Sequence, residues 1–161
     1  VLSLTKVENQ TILSDVTEYN LSEQIRSCIL LLENKWSRRD LELQLEFGEH
    51  MISANEELLK QVWINLLDNA VKFTPDGHTI QVRISETDHS ITVDVLNTGS
   101  EIPKESQAKI FNKFYQADES HATQGNGVGL AIVKRIAQLH GGTVTVSSEN
   151  EVTVFTVELP K

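Results

Sequence analysis

The most constraining stretch of the chain runs from Ala54 to Phe73, where Leu59, Val62, Leu66, Ala70 and Phe73 recur at helical spacing. A stripe of that length dictates a long helix that buries one side against a core. Ser53 with Glu56 three residues on has the spacing of a capping box and predicts its start. Pro75 and the Asp76–Gly77 pair predict its stop. Asn65, Asn69 and Lys72 sit inside this helix at i, i+4 and i+7, within about 60° of one another and beside the apolar stripe. Asparagine is a mediocre helix former because its amide competes for backbone hydrogen bonds. Two of them in mid-helix therefore mark either a solvated polar edge or a functional face.

The elements around this helix limit the fold class. Asn20 and Glu23 predict a helix start, and Leu21, Ile25, Cys28, Ile29, Leu32 and Trp36 form its apolar stripe. Leu41, Leu43, Leu45 and Phe47 alternate with polar residues as in a half-buried strand. Ile80/Val82/Ile84 and Ile91/Val93/Val95 read as a hairpin across Thr87 to Ser90. A third helix is expected from about Val128 to His140, with Ile132, Val133, Ile136 and Leu139 on one face and Gly141 as its stop. Val144/Val146 and Phe155/Val157/Leu159 read as a last hairpin across Ser148 to Glu151. Hairpins without regular strand-helix alternation imply an α+β fold, a two-layer sandwich in which a mixed five-stranded sheet is covered on one face by three helices. Residues 1 to 18, with Leu4, Val7 and Val16, read as the tail of a helix belonging to a preceding segment, and residues 19–161 as the domain proper.

Composition excludes several functions. The net charge of −9 argues against a general nucleic-acid binder, whose affinity rests on clustered Lys and Arg. The single cysteine, Cys28, lies in the apolar run CILLL and reads as a buried thiol in a reducing compartment. No apolar run approaches the roughly 20 residues of a membrane span.

Three further segments carry chemistry. GNGVGL places Gly125, Gly127 and Gly129 at the start of the third helix. Glycines allow close backbone approach there, and helix-start N–H groups attract phosphate, although a structural turn has the same look. It lacks the third glycine of a dinucleotide fingerprint, where Leu130 stands, and the Gly-Lys-Ser/Thr of a P-loop. VLNTGSEIP puts Asn97 at a strand end, able to read a base edge, with Gly99 leaving room for a flat ring; a plain strand-to-loop turn is the alternative. In KIFNKFYQAD, the apolar Ile110, Phe111, Phe114 and Tyr115 suit core or lid packing.

Taken in order, NLLDNAVKF, LNTGSEIP, KIFNKFYQAD and GNGVGLAI resemble the N, G1, F and G2 boxes of the catalytic domain of sensor histidine kinases, in the GHKL ATPase superfamily. The resemblance implies ATP and Mg²⁺ as ligands. It implies that Asn69 holds the metal, that Asn65 lies near metal and phosphates, that Lys72 contacts phosphate and that Phe73 flanks the adenine. Asn97 would read the adenine. Gly99 belongs to the same G1 box, and Gly125, Gly127, Val128, Gly129 and Leu130 would border the triphosphate under a mobile lid. Lys113 stands where the family often has a basic residue able to reach the γ-phosphate.

Water-activating members of the superfamily place Glu where Asn65 stands, and a carboxamide is no general base, so transfer is favoured over hydrolysis. The implied acceptor is a histidine on a dimerising helical hairpin, the relay partner a response-regulator receiver domain, and the parent a homodimeric, membrane-anchored bacterial sensor with this domain in the cytoplasm. None of His50, His78, His89, His121 and His140 lies in an acceptor box, and His140 suits a helix C-terminus, where a cation favours the dipole. A serine kinase of anti-sigma type and a non-catalytic nucleotide-binding or scaffold module are the alternatives. Two departures stand out: Asn97 and Glu101 replace the commonest Asp and Gly of G1, and SENEVTVF lacks the glycines often found in that turn.

Overall fold

Asn20 starts the first helix as its spacing predicts: its side chain accepts the Glu23 N–H at 2.9 Å, opening α1 (Leu21–Leu31). The computed structural model describes residues 12–112 and 129–161. Leu21, Ile25 and Cys28 on α1 are at most 1% exposed, and burial pushes the Cys28 thiol up to about 11, so it is an inert core group. A short turn of helix, α2 (Glu33–Trp36), follows, and its Trp36 indole donates back to the Ile29 carbonyl.

The long helix α3 (Glu56–Phe73) forms, but its cap is Asn55, whose side chain accepts the Leu58 N–H at 2.9 Å. The expected cap, Ser53, is exposed on a strand that the sequence reading missed. That strand, β3 (Met51–Ala54), pairs antiparallel with a second missed strand, β1 (Thr17–Asn20). Pairing keeps the backbone extended through Ala54, so the helix starts only at the next polar side chain. The same pair corrects the reading of residues 12–18 as helical: 12–16 hold neither helix nor strand, and Ile12 and Val16 are 76% and 47% exposed. An i, i+4 pair with nothing to bury against does not hold a helix together. Residues 1–11 lie outside the described part.

The main sheet has the order β2-β4-β5-β7-β6, formed by β2 (Leu41–Glu46), β4 (His78–Glu86), β5 (Ser90–Thr98), β6 (Thr143–Glu149) and β7 (Val152–Pro160). Only β2 and β4 run parallel, because α3 lies in the crossover between them; the other pairs are antiparallel. Both expected hairpins are present, and the sheet is mixed as expected. Alternation sends Ile80, Val82, Ile84, Ile91, Val93, Val95, Phe155, Val157 and Leu159 into the core. There they meet α1, α3 and α5 (Gly129–Leu139), the three helices expected on one face. Leu45 is 41% exposed because β2 is an edge strand. A four-residue helix, α4 (Lys104–Gln107), follows β5.

Candidate functional site

One wall of the site is the junction of α3 and α5. Asn65 Nδ2 donates to the Gln61 carbonyl at 2.9 Å, and Oδ1, the other end of the amide, faces the head of α5. A Cβ placed on Gly129 would lie 3.1 Å from Asn65 Oδ1, so glycine at the head of α5 allows the two helices their close approach. Asn69, one turn on, is half-buried, and its side chain has no hydrogen-bond partner among the described residues. Lys72 reaches Asp68 at 3.4 Å, and Asp68 also receives Lys35 at 2.7 Å. Phe73 and Leu130 are half-buried, and Leu130 packs against the core.

The far ends of the same two helices are joined by residues that the sequence reading did not connect. The Asn55 N–H donates to His140 Nε2 at 3.1 Å, so His140 carries its proton on Nδ1, which donates to the Ile136 carbonyl at 2.8 Å. Burial holds His140 below the usual histidine range. It is therefore a neutral strut between the start of α3 and the end of α5, in place of the expected cation on a helix dipole. Asn55 also donates to the Ser14 carbonyl, tying down the segment that enters β1. The pointer to Asn55 was its place immediately before the acidic first turn Glu56–Glu57.

The second wall of the candidate site is the end of β5 with the loop that leaves it. Asn97 is 5% exposed and in register with Ile80 on one side and Thr153 on the other, and Thr153 is in register with Ser148. A polar row thus ends an otherwise apolar inner face. Asn97 Nδ2 donates to Ser100 Oγ at 3.0 Å. Gly99 has φ +89°, and a Cβ there would lie 2.6 Å from the His78 ring, so the turn requires glycine.

The exit loop is stapled to the β6–β7 hairpin. The Gly99 N–H donates to the Glu151 carbonyl, the Glu151 N–H to Glu101 Oε1, Thr153 Oγ1 to the Ser100 carbonyl and the Ile102 N–H to Ser148 Oγ. The hairpin turn has φ +55° at Asn150 and +58° at Glu151, the pattern of a type I′ turn made without glycine. The two departures noted in the sequence, Glu101 and the glycine-free turn, therefore meet in one hydrogen bond. Ser100, Ser148 and Thr153, which hold this loop, are not singled out by the sequence reading. For Thr153 the signal was its place in the alternation with Phe155, Val157 and Leu159.

Ile110 is buried, and the Phe111 ring meets Phe155 edge-on at 6.0 Å, which is core packing. Lys113, Phe114, Tyr115, His121, Gly125, Gly127 and Val128 lie outside the described residues. Among the described residues no group of three or more His, Cys, Asp or Glu side chains converges as a cation site. No described helix is long and apolar enough to cross a membrane.

The profile of the histidine kinase-, DNA gyrase B- and HSP90-like ATPase family matches residues 54–161. The sensor histidine kinase CusS of Escherichia coli O6:H1 is 34% identical over 162 residues, which cover 99% of this chain and 34% of CusS. The chain thus spans about a third of the length of the curated relatives it matches. The nucleotide-free catalytic domain of histidine kinase ThkA superposes with a TM-score of 0.83 at 32% identity, covering 92% of this chain and 97% of that one. ThkA in complex with the response regulator TrrA gives 0.75 at 30%, covering 91% and 42%. Full-length ShkA in complex with AMPPNP gives 0.85 at 27%, covering 98% and 33%. With this profile over two thirds of its length, and a histidine kinase catalytic domain matched nearly end to end, the chain belongs to the histidine kinase-, DNA gyrase B- and HSP90-like ATPase family, among the catalytic domains of histidine kinases.

Proposed function

We propose that the chain binds Mg²⁺-ATP between the α3–α5 junction and the end of β5, and transfers the γ-phosphoryl group to a histidine on a helical hairpin of the full-length protein. The observation that carries this reading is the half-buried Asn69 amide, without a hydrogen-bond partner among the described residues, one turn from Asn65, which itself meets Gly129. Mg²⁺ prefers oxygen ligands, and a single carboxamide oxygen completed by phosphate oxygens and water suits it. The donors present fit that ion: Asn69 would hold it, with the Asn65 oxygen beside it. Bound there, the metal would neutralise charge on the transferring phosphoryl group.

The chain's own groups do the rest. Lys72, released from Asp68, supplies positive charge toward phosphate, and Phe73 flanks the base. The amide of Asn97 reads the base edge. Lys113 and the segment Gly125, Gly127, Val128, Gly129 and Leu130 border the triphosphate. Asn65 cannot take a proton from water, so nothing at its position activates hydrolysis, and the phosphoryl group is kept for a protein nucleophile.

The names of the relatives support a place in a two-component sensor, and the ThkA–TrrA complex supports a response regulator as the next acceptor. The full-length protein on this reading is a membrane-anchored homodimer with this domain in the cytoplasm. The test is transfer from γ-labelled Mg²⁺-ATP to the separately added histidine hairpin of the full-length protein. Label on the hairpin is expected. Label released as free phosphate, or found on serine of another protein, replaces this reading with hydrolysis or a serine kinase.

A further inference from the structure

The bond between Asn97 and Ser100 has a property that a carboxylate at the same place would lack. Asn97 Nδ2 donates to Ser100 Oγ at 3.0 Å, so the amide presents its oxygen, an acceptor, on the other side. A carboxamide carries both a donor and an acceptor end, and a hydroxyl can donate or accept. The pair therefore survives a half-turn of the amide. Ser100 O–H then donates to Asn97 Oδ1, and Nδ2, a donor, faces the other way.

Ser100 is held in place for either arrangement. Its carbonyl takes the Thr153 hydroxyl at 3.2 Å, and the residues on both sides of it are tied to Glu151, Gly99 through its N–H and Glu101 through its carboxylate. Thr153 Oγ1 gives its proton to Ser100 O, so the 2.7 Å contact with Ser148 is a donation from Ser148, whose oxygen accepts the Ile102 N–H. This assignment leaves the Ser100 hydroxyl proton outside the Thr153–Ser148 chain. The Glu101 carboxylate is engaged by the Glu151 N–H.

Resting on the nucleotide reading above, we propose that Asn97 and Ser100 form a reversible reader of the purine 6-position, which accepts a 6-amino group in one orientation and a 6-oxo group in the other. The site then takes hypoxanthine and guanine nucleotides as well as adenine nucleotides, a wider ligand class than an acceptor-only carboxylate admits. Ser100 and Asn97 together determine the specificity, and Glu101 positions Ser100 by fixing the loop to the hairpin turn.

The test is calorimetric titration of the chain with ADP and with IDP in Mg²⁺, for wild type, Asn97→Asp and Ser100→Ala, with a melting curve for each. IDP differs from ADP at the 6-position and N1 alone, without the extra 2-amino group of guanine. The expected wild-type affinities lie within about tenfold of each other. Asn97→Asp keeps ADP binding and widens the gap by about another tenfold or more, because an ionised carboxylate offers no donor to a 6-oxo group. Ser100→Ala weakens both nucleotides by a similar factor, since the inward end of the amide loses its partner in either orientation. A purely structural role for these residues moves the melting temperature and leaves the ADP-to-IDP ratio where it was. Wild type that binds ADP but disfavours IDP more than about a hundredfold overturns the proposal, as does a ratio unchanged by Asn97→Asp. Wild type that binds neither nucleotide overturns the reading on which the proposal rests.

Discussion

The two walls of the proposed site are built by different physics. The α3–α5 wall is helical, and its polar side chains are placed by the period of one helix: Asn65, Asn69 and Lys72 share a face because they lie at i, i+4 and i+7. The β5 wall is a strand end and a loop held by bonds between residues about 50 positions apart, Glu101 to Glu151 and Ser100 to Thr153. A helical wall tolerates the loss of one side chain because its backbone bonds are local. A stapled loop does not, because its conformation is the sum of those few long-range bonds.

The largest expected effect follows from that contrast. Thr153→Val removes the hydroxyl that links Ser148 to the Ser100 carbonyl at a site 2% exposed, and should destabilise the domain by about 2 kcal/mol, read from chemical denaturation. A change within about 0.5 kcal/mol, the level of an ordinary surface substitution, would mean that the staple contributes little. On the helical wall the binding and stability effects should separate. Asn69→Ala is expected to lower the Mg²⁺ enhancement of nucleotide affinity about tenfold, or about 1.4 kcal/mol, while leaving stability equal or slightly higher, since Ala is the better helix former. Should the variant unfold instead, Asn69 would be a structural group and the proposed metal role would be wrong.

A smaller effect concerns the turn. Glu151 at φ +58° is in a region that costs a non-glycine residue, so Glu151→Gly should stabilise the chain by up to about 1 kcal/mol despite the flexibility glycine adds. A loss of stability would mean that Glu151 makes contacts beyond its backbone bonds to Gly99 and Glu101. The smallest effect is on pH dependence, at the strut between α3 and α5. Because burial lowers the His140 pKa, the folded chain resists its protonation. The stability it contributes is fully present above the unfolded value of about 6.5 and is lost as pH falls through the lower folded value. Denaturation midpoints followed from pH 7.5 downward should fall, and more gently in His140→Gln. Equal slopes in the two proteins would remove His140 from the account.

What the sequence made legible divides along the same line as the walls. Asn20, the stripes of α1, α3 and α5, and both hairpins of the main sheet follow from capping and from periods of 3.6 and 2. The candidate residues on α3 fall on the predicted stripe, and Asn97 lies at the predicted strand end. The small β1–β3 sheet was not legible, because each strand is four residues long and is defined only by pairing with the other. Pairing also moved the α3 cap from Ser53 to Asn55. The staple around Ser100 was illegible for a related reason: serines and threonines in a loop carry no local mark of which distant backbone group they will bond. Glu101 and the glycine-free turn each looked like an isolated irregularity, and only their meeting explains both.

The most direct test of the central claim is calorimetric titration of the chain with ADP and a non-hydrolysable ATP analogue, with and without Mg²⁺. One nucleotide is expected to bind per chain, more tightly when Mg²⁺ is present. No binding up to millimolar nucleotide, or an affinity indifferent to Mg²⁺, would contradict a metal-nucleotide site at Asn69 and Asn65 and leave the chain a fold without that function.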